Sequence, residues 1–557
     1  MCNSVPGRLS HHGSARFDSA LMEKMLRAGA LLLLAALVFC LPALGHTASV
    51  YVPVDHWAYP AAERLAVLTG AQSEVLGMRP WTRQQFARFL ERAREYDHNP
   101  EASALQKELE REFAAELNSE PEKEVRESLY ARTTQIAGAP LRDSYHIGQT
   151  LVNDFGRPYG EGFNAIAGAS GYAQYRAGMI YMRGEYQHAA SLAAPSAAAV
   201  AAMAAEDSVT SDKVLTQGGP EQNIPRLLDT YVGVSWGKHW TGILGKQSLW
   251  WGPALGGAFH ATNNADPYWM ARMTNDVPYR IPLLGNARLD MFYGKLQQHV
   301  AESQVWIHGE KVTFQPSKSL EIGFTRTVVF LGVDYPLSFR RLWDSYFSVG
   351  DNNSTYLPKN NPGSRQGGID FSWKLPRIPV TLYTDGYCDD DPSPLASPHR
   401  SAFHPGLYFA RLPGALSHMD FRMEGSYTVG LDSSLPDFYN YWKEDYRDGY
   451  TNKGLIIGDV TGRAGVQWQV WTTYWLNPRS TVQVSFRDRY VPRTFFGGGT
   501  QSDLKTVSNL HLRQRYDLEL GVQSERYIFY QLTGTRSPRY NVSGWAGLRY
   551  TPKPRSH

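Results

Sequence analysis

The chain of 557 residues carries 56 Lys and Arg against 53 Asp and Glu, a formal net charge of +3. This near balance gives no electrostatic reason to expect nucleic acid or a strongly acidic partner. Aromatic residues make up 13% of the chain, with 32 Tyr and 15 Trp beside 50 Gly. After residue 44 no apolar run reaches the roughly 18 residues of a membrane-spanning helix, so helical spans are excluded for the mature chain.

Residues 1–48 are predicted to be a secretory signal peptide. Positive charges in 22–27 precede the apolar run 28–44, and small residues follow it, which is the order of a signal peptide. The alternative is a retained membrane helix, but Pro42 and the short length of the run disfavour it. Because a signal that begins near residue 22 has ordinary length, residues 1–21 are interpreted as an over-annotated start.

Cysteine usage is consistent with export to a bacterial envelope. Cleavage after Gly45 or Ala48 removes Cys2 and Cys40 and leaves Cys388 alone. The mature chain is therefore predicted to lack an internal disulfide.

Residues 49–130 are predicted to form a helical module. Apolar residues recur at helical spacing in three stretches between 55 and 118, each with one apolar face. The second helix is predicted to begin at Thr82, with Gln85 completing a capping box. Three such helices can cover one another or cap another structure.

Residues 131–557 are predicted to form the barrel, because the apolar period changes from 3.6 to 2 after about residue 145. Met419, Phe421 and Met423 alternate with Asp420 and Arg422, and similar alternation recurs along the rest of the chain. One face of such strands meets an apolar medium and the other meets water, as in a lipid-facing barrel with a polar interior. The alternative is a large soluble β-sandwich or propeller.

Unequal connections favour the barrel over the soluble alternatives, because outer-membrane barrels have short periplasmic turns and longer outer loops. The predicted short turns are 315–319, 375–379, 430–437, 476–480 and 514–517. The predicted long loops lie near 330–367, 388–417, 447–462 and 491–506. The fold class is thus mainly β: a transmembrane antiparallel barrel of about 16–18 strands, preceded by a small N-terminal α-helical bundle.

Two segments fit this pattern poorly. Residues 252–286 are predicted either as an outer loop or as a segment that folds into the lumen. The alanine-rich tract 189–205 is predicted to contain a short loop helix, because alanine has high helix propensity.

The sequence supplies no convincing catalytic or metal site. Ser235 lies in a G-x-S-x-G match at 233–237, but this match falls inside an alternating strand rather than at a strand-to-helix turn, so chance explains it. The acidic run 389–391 lacks the spacing of a calcium loop and is interpreted as a solvated loop, with calcium as the alternative. Histidines are scattered without metal-ligand spacing. We predict no catalytic residue, no metal, no cofactor and no enzymatic activity.

Aromatic and basic residues supply the candidate sugar-binding positions. Trp250 and Trp251 either stack on a sugar ring or belong to an aromatic girdle at the membrane interface. The loop 330–367 combines stacking faces with positive charge that pairs with uronic carboxylates; the alternative is packing inside the barrel mouth. The candidates in this loop are Arg340, Arg341, Trp343 and Tyr346.

Several stretches resemble the Wzi-type capsule assembly proteins, and the resemblance extends from about residue 52 to 550. The stretches that carry it most specifically are 245–253 (GKQSLWWGP), 263–267 (NNADP) and 389–394 (DDDPSP), supported by 347–352 (FSVGDN) and 449–452 (GYTN). The resemblance implies a barrel of about eighteen strands with a helical bundle on its periplasmic side. It also adds Asn263 to the candidate sugar-binding residues.

The resemblance further implies a lectin of the bacterial outer membrane that attaches or organises capsular or surface polysaccharide. The expected partners are this polysaccharide, outer-membrane lipid and the polysaccharide-export machinery. The helical module is expected to close or brace the periplasmic mouth. Two alternatives stay open: a diffusion pore for small solutes or sugars, and an outer-membrane hydrolase that uses Ser235.

Overall fold

The computed structural model describes residues 48–96, 99–120, 124–348, 362–389, 394–429, 440–513 and 515–552. The predicted signal peptide up to residue 47 lies outside these ranges. Among the described residues, no helix is both long enough and apolar enough to cross a membrane.

Eighteen antiparallel strands form one closed barrel wall, which confirms the predicted fold class. The first strand closes against the last, with Thr134 opposite Trp545. The sixth strand consists of two segments that both pair with the seventh. The strands are β1 Glu124–Ala137, β2 Gly162–Tyr175, β3 Gly178–Ala189, β4 Gln222–Trp236, β5 Trp240–Lys246, β6 Trp269–Asn275 with Tyr279–Ile281, β7 Gly285–Lys295, β8 Trp306–Ser317, β9 Leu320–Phe330, β10 Ser364–Lys374, β11 Val380–Asp389, β12 Ala402–Phe409, β13 Met419–Tyr427, β14 Val466–Asn477, β15 Ser480–Val491, β16 Gly499–Leu512, β17 Tyr516–Phe529 and β18 Arg539–Tyr550.

The alternating pattern places apolar side chains on the outer face of the wall and polar ones in the lumen. In β13, Met423 is 47% exposed, whereas Asp420, Arg422 and Glu424 are at most 5% exposed. In a water-filled lumen these charged groups would be exposed to solvent. Their burial therefore means that other parts of the chain fill the lumen.

The wall has a short-turn side and a long-loop side. Turns such as those between β8 and β9, β14 and β15, and β16 and β17 are short, and the connections at the other end are longer. The prediction missed β12, because Pro405 and Gly406 interrupt its alternation and proline weakens a strand assignment. The chain between 388 and 417 is therefore not one long loop. The predicted turn 430–437 lies outside the described residues.

The helical module, residues 48–120, contains α1 Ala58–Thr69, α2 Arg83–Ala93, α3 Pro100–Glu112 and the short α4 Ala114–Leu117. The predicted capping box is confirmed: the Thr82 hydroxyl accepts from the Gln85 amide at 3.1 Å, and the Gln85 side chain accepts from the Thr82 amide at 2.7 Å. β1 begins at Glu124, within the range 49–130 assigned to the module.

The module has its own apolar core, which includes Trp81, Phe86, Leu90 and Leu109, all fully buried. Among the residues of this core, Trp475 is the one that the wall supplies. Since the module directly precedes β1 on the short-turn side, it lies in that mouth of the barrel.

Within the described ranges, three further helices lie on the long-loop side: α5 Ala197–Asp207, α6 Phe339–Phe347 and the one-turn α7 Tyr530–Thr533. α5 confirms the predicted helix in the alanine-rich tract. Short 3₁₀ turns lie at Ser211–Lys213, Pro398–Arg400 and Gly414–Leu416. Two short hairpins pair Arg142–Asp143 with Gly148–Gln149 and Thr451–Asn452 with Leu455–Ile456.

Candidate functional site in an occluded barrel

The segment 247–268, here the lumen loop, folds into the barrel. It leaves the wall between two strands that are shorter than their neighbours, with Lys246 opposite Trp269. Trp251 is fully buried, and its indole nitrogen donates to Asp290 at 3.2 Å. Trp250 exchanges backbone hydrogen bonds with Arg79 of the helical module. The structure thus decides between the two predictions for 252–286: the part up to 268 fills the lumen, and the rest forms β6 and the turn to β7.

Carboxylates on the wall hold the backbone of the lumen loop. Glu424 accepts hydrogen bonds from the amides of Leu255 at 2.7 Å and Gly256 at 2.8 Å. Asp385 accepts from the amide of Phe259 at 2.8 Å. A loop without regular structure must satisfy its buried amides elsewhere. The sequence pattern assigns these inward-facing carboxylates to a polar lumen. In the structure they are the hydrogen-bond acceptors for the amides of this loop.

His404 connects Glu424, which holds the lumen loop, to a second loop. His404 lies between Glu424, at 3.2 Å from its Nε2, and Asp459, at 2.6 Å from its Nδ1. All three side chains are at most 2% exposed. Because Glu424 belongs to β13 and Asp459 to the loop before β14, this histidine ties the second loop to the wall.

The second loop, residues 440–465 and here the tyrosine loop, seals the lumen from the long-loop side. The hydroxyl of Tyr441 donates to the carbonyl of Phe259 at 2.9 Å, and that of Tyr450 donates to His260 at 2.6 Å. Asn264 donates from its side chain to the carbonyl of Ile456 at 3.0 Å. The two loops share one apolar core with the wall, so they form a single plug, here the loop plug.

The helical module closes the opposite mouth through ion pairs with the wall. Asp55 receives two hydrogen bonds of 2.9 Å from Arg183, and Glu63 receives one of 2.7 Å from Arg422. Burial alone would raise the pKa of Asp55, but Arg183 and then Arg549 outweigh it and lower that pKa well below its ordinary value. The module is therefore held in the mouth by charge pairs.

A cavity of about 460 Å³ separates the module from the wall along β1 and β14–β18. Trp57 and Tyr130 line it together with charged residues such as Arg132, Asp154 and Arg479. Arg479 lies over the Trp57 ring at 4.5 Å, and Asp154 pairs with Arg132 at 2.5 Å. These charged side chains therefore interact mainly with other residues that line the cavity.

The structure divides the seven predicted sugar-binding residues among separate places. Trp250, Trp251 and Asn263 are buried in the lumen loop, at most 7% exposed. The other four lie on α6 but point in different directions: Trp343 is 54% exposed, whereas Arg341 is 2% exposed and packs on Tyr335. The chain does not bring the seven residues together as one surface, and their role in sugar binding stays a prediction.

The remaining motif positions have local explanations. Ser235 lies in β4 and is 3.0 Å from the hydroxyl of Thr241 on β5, which is an ordinary cross-strand pair. Asp389 is the last residue of β11, and residues 390 and 391 of the acidic run lie outside the described ranges.

A small cleft of about 20 Å³ lies among the loops on the long-loop side, here the outer cleft. Two basic side chains, Lys213 and Arg447, line it together with Asp448 and Thr451. Lys213 is exposed, and Arg447 reaches across to the carbonyl of Ser208 after α5. The cleft thus presents the positive charges of Lys213 and Arg447 toward the outside.

An ion triad supports the floor of the outer cleft. His146 lies 2.8 Å from both Asp143 and Asp207, which itself pairs with Arg463. Burial by itself lowers the pKa of His146, but the carboxylates of Asp143 and Asp207 outweigh it and raise the pKa to about 10. The histidine is therefore charged at neutral pH and joins α5 to the loop after β1. Sequence reasoning missed this triad because 61 positions separate His146 from Asp207.

A closed antiparallel wall with an apolar outer face, short turns at one end and long loops at the other defines an outer-membrane β-barrel. The family model for the capsule assembly protein Wzi matches residues 131–538. The chain therefore belongs to the Wzi capsule assembly family, as the sequence resemblance predicted, and its place is the bacterial outer membrane.

Two individual proteins are similar to this chain. The solved structure of Wzi from Escherichia coli, described as an outer-membrane protein involved in group 1 capsule assembly and a carbohydrate-binding β-barrel, superposes with a TM-score of 0.66. The superposition covers 91% of this chain and all of the Escherichia coli chain. Because the two sequences are 15% identical, this similarity shows a shared fold alone. An uncharacterised 55.8 kDa protein in the cps region of Klebsiella pneumoniae is 29% identical over 175 residues, which span 34% of its length and 30% of this chain.

Proposed function

We propose that this protein is a non-enzymatic, lectin-like barrel that attaches or organises capsular polysaccharide at the cell surface. Membership in a capsule assembly family supports the general role. The observation that carries the proposal is the double closure of the lumen, by the helical module at one mouth and the loop plug at the other. When the lumen is filled in this way, the barrel functions through its outer surface and not as a path for solutes.

We place the polysaccharide contact at the outer cleft. Lys213 and Arg447 offer positive charge to acidic sugars. The cleft lies on the long-loop side, which faces the outside of the cell in barrels of this kind. The loops beneath it are held by the His146 triad and the tyrosine loop, so the cleft is preorganised.

The pore alternative needs a continuous path through the lumen. Trp251, Tyr441 and Tyr450, each at most 1% exposed, lie in the shared core where such a path would run. The hydrolase alternative needs a base beside Ser235, whose neighbour at hydrogen-bond distance is Thr241. Both observations favour the lectin proposal.

Capsule retention by living cells tests this proposal. The double variant Lys213→Ala, Arg447→Ala should insert normally yet release capsule into the medium, because loss of one exposed and one half-buried charge contact weakens binding on the order of tenfold. The matched control is Arg377→Ala, Arg513→Ala, which removes two exposed arginines from turns on the short-turn side. Full capsule retention by the first variant, at normal surface abundance, would overturn the placement at the outer cleft.

A further inference from the structure

Helix α6 lies against the outer face of the barrel wall, not over its mouth. The register of β7, β8 and β9 places Tyr293, His308 and Val328 side by side. These residues have the opposite orientation to Arg288, Lys311 and Thr327, which are buried in the lumen. Tyr293 and His308 therefore face outward, where outer-membrane strands normally present apolar side chains to lipid.

The polar side of α6 covers these outward groups. Tyr346 stacks on His308 with ring centres 4.5 Å apart, and His308 is 3.1 Å from the Ser345 hydroxyl. Arg326, which also faces outward, donates to the carbonyls of Ser345 and Ser348 at 3.0 Å. His308 is fully buried by this arrangement. The helix thus shields a polar patch of wall that would otherwise face the membrane.

The opposite side of α6 is an exposed aromatic row. Phe339, Trp343 and Phe347 follow one another at steps of four, the spacing of one helix face. They are 80%, 54% and 63% exposed. Adjacent rings lie 6.3 and 4.5 Å apart. Leu337, just before the helix, extends the row and is 63% exposed.

We propose that this aromatic row is embedded in the outer leaflet of the membrane, as an interfacial helix docked on the side of the barrel. The surface on which α6 lies is continuous with the lipid-facing wall below it, where Phe324 of β9 is 46% exposed. A helix with one polar and one aromatic face suits the boundary between head groups and acyl chains, and tryptophan is enriched at that depth. The proposal is independent of polysaccharide binding.

This placement assigns Trp343 to lipid. Arg340, on the same helix and 69% exposed, pairs with Asp344 at 3.6 Å. Its remaining donors are available to head-group phosphates at the same depth. Tyr346 fixes the helix to the wall through His308, and Arg341 packs on Tyr335 in the segment before the helix.

Lipid quenching of tryptophan fluorescence tests the proposal with the full-length protein. The protein is reconstituted in nanodiscs of phosphatidylcholine, with or without bromine on the acyl chains. Wild type and Trp343→Phe are compared, so that their difference reports Trp343 alone. Brominated lipid should remove most of the emission that Trp343 contributes.

Two matched variants calibrate the measurement. Trp468→Phe removes an outward-facing tryptophan near the outer end of β14, 41% exposed, and its emission should be quenched by the same lipid. Trp442→Phe removes a tryptophan that packs against the core of the loop plug, and its emission should not be. If lipid quenches the Trp468 component but leaves the Trp343 component intact, the aromatic row faces water or protein and the proposal is wrong.

Discussion

The two plugs of the barrel are built on different principles. The helical module has a core of its own and meets the wall through ion pairs such as Asp55 with Arg183 and through two smaller apolar clusters. The loop plug has no separate core, because Trp251, Tyr441 and Tyr450 pack directly with wall residues such as Phe292. The module is therefore a domain seated in a mouth, whereas the loop plug is part of the barrel's interior.

This difference explains why inward charges do not imply a pore. The carboxylates of Glu424 and Asp385 face the lumen as they would in a channel, yet their oxygens bind loop amides instead of water. An alternating strand pattern identifies the two faces of a wall, but it does not reveal what fills the space inside.

The largest effect should come from removing the helical module and the lumen loop at once. Deletion of 49–118 alone, or replacement of 248–267 by a short Gly-Ser turn alone, should leave ion conductance in planar bilayers near that of the intact chain. The double change should produce an open channel, because the close pairing of Lys246 with Trp269 allows a short turn without disturbing the wall.

This experiment separates the two plugs. If deletion of the module opens the barrel as far as the double change does, the loop plug does not occlude the lumen. Heat-modifiable migration on gels provides the control that each variant has inserted as a folded barrel.

The second largest effect concerns the seam between wall and loop plug. Glu424→Ala should lower the free energy of unfolding by about 3–5 kcal/mol, the usual cost of removing one partner of a buried ionic network. The loss leaves the Leu255 and Gly256 amides unsatisfied and removes a carboxylate from His404. Denaturant midpoints of the protein in lipid provide the measurement.

Glu444→Ala is the matched control for this change, since it removes an exposed glutamate from the tyrosine loop. Its free energy of unfolding should change by no more than about 0.5 kcal/mol. Equal effects of the two variants would mean that Glu424 does not anchor the lumen loop.

A smaller, pH-dependent effect is expected at the His146 triad. The folded pKa of about 10 lies above the ordinary value of 6.5, so the triad's stabilisation is fully present below pH 6.5 and disappears as pH rises through 10. His146→Gln should cost about 2 kcal/mol near pH 6, typical of hydrogen bonds to charged groups, and progressively less toward pH 10.5. Thermal unfolding at several pH values measures this trend.

His188→Gln controls for a general effect of histidine loss, because its carboxylate partner Glu221 is 59% exposed. Its cost near pH 6 should be small, because solvent screens an exposed pair. A constant penalty for His146→Gln across the same pH range would contradict the charged triad.

The sequence predicted local and periodic features well. The capping box of Thr82, the helix in the alanine-rich tract and the strand alternation all depend on neighbouring residues, and the structure has all three. The prediction missed β12, because Pro405 obscures its period. The interior of the barrel depends on contacts between distant residues, such as Glu424 with Leu255, which no local pattern records.

The candidate site was harder to predict for the same reason. Arg340, Arg341, Trp343 and Tyr346 are close in sequence, but a helix turns successive residues by about 100°, so they divide between two faces of α6. The outer cleft joins Lys213 to Arg447 from loops far apart in the chain. Composition indicates candidate types of residue but not their arrangement.

Binding of capsular polysaccharide, purified from the same organism, to the full-length barrel in nanodiscs tests the central claim most directly. The account predicts saturable binding by wild type, much weaker binding by Lys213→Ala, Arg447→Ala, and unchanged binding by Arg377→Ala, Arg513→Ala. Absence of saturable binding by the folded wild-type barrel, or equal loss in both double variants, would contradict a polysaccharide site at the outer cleft.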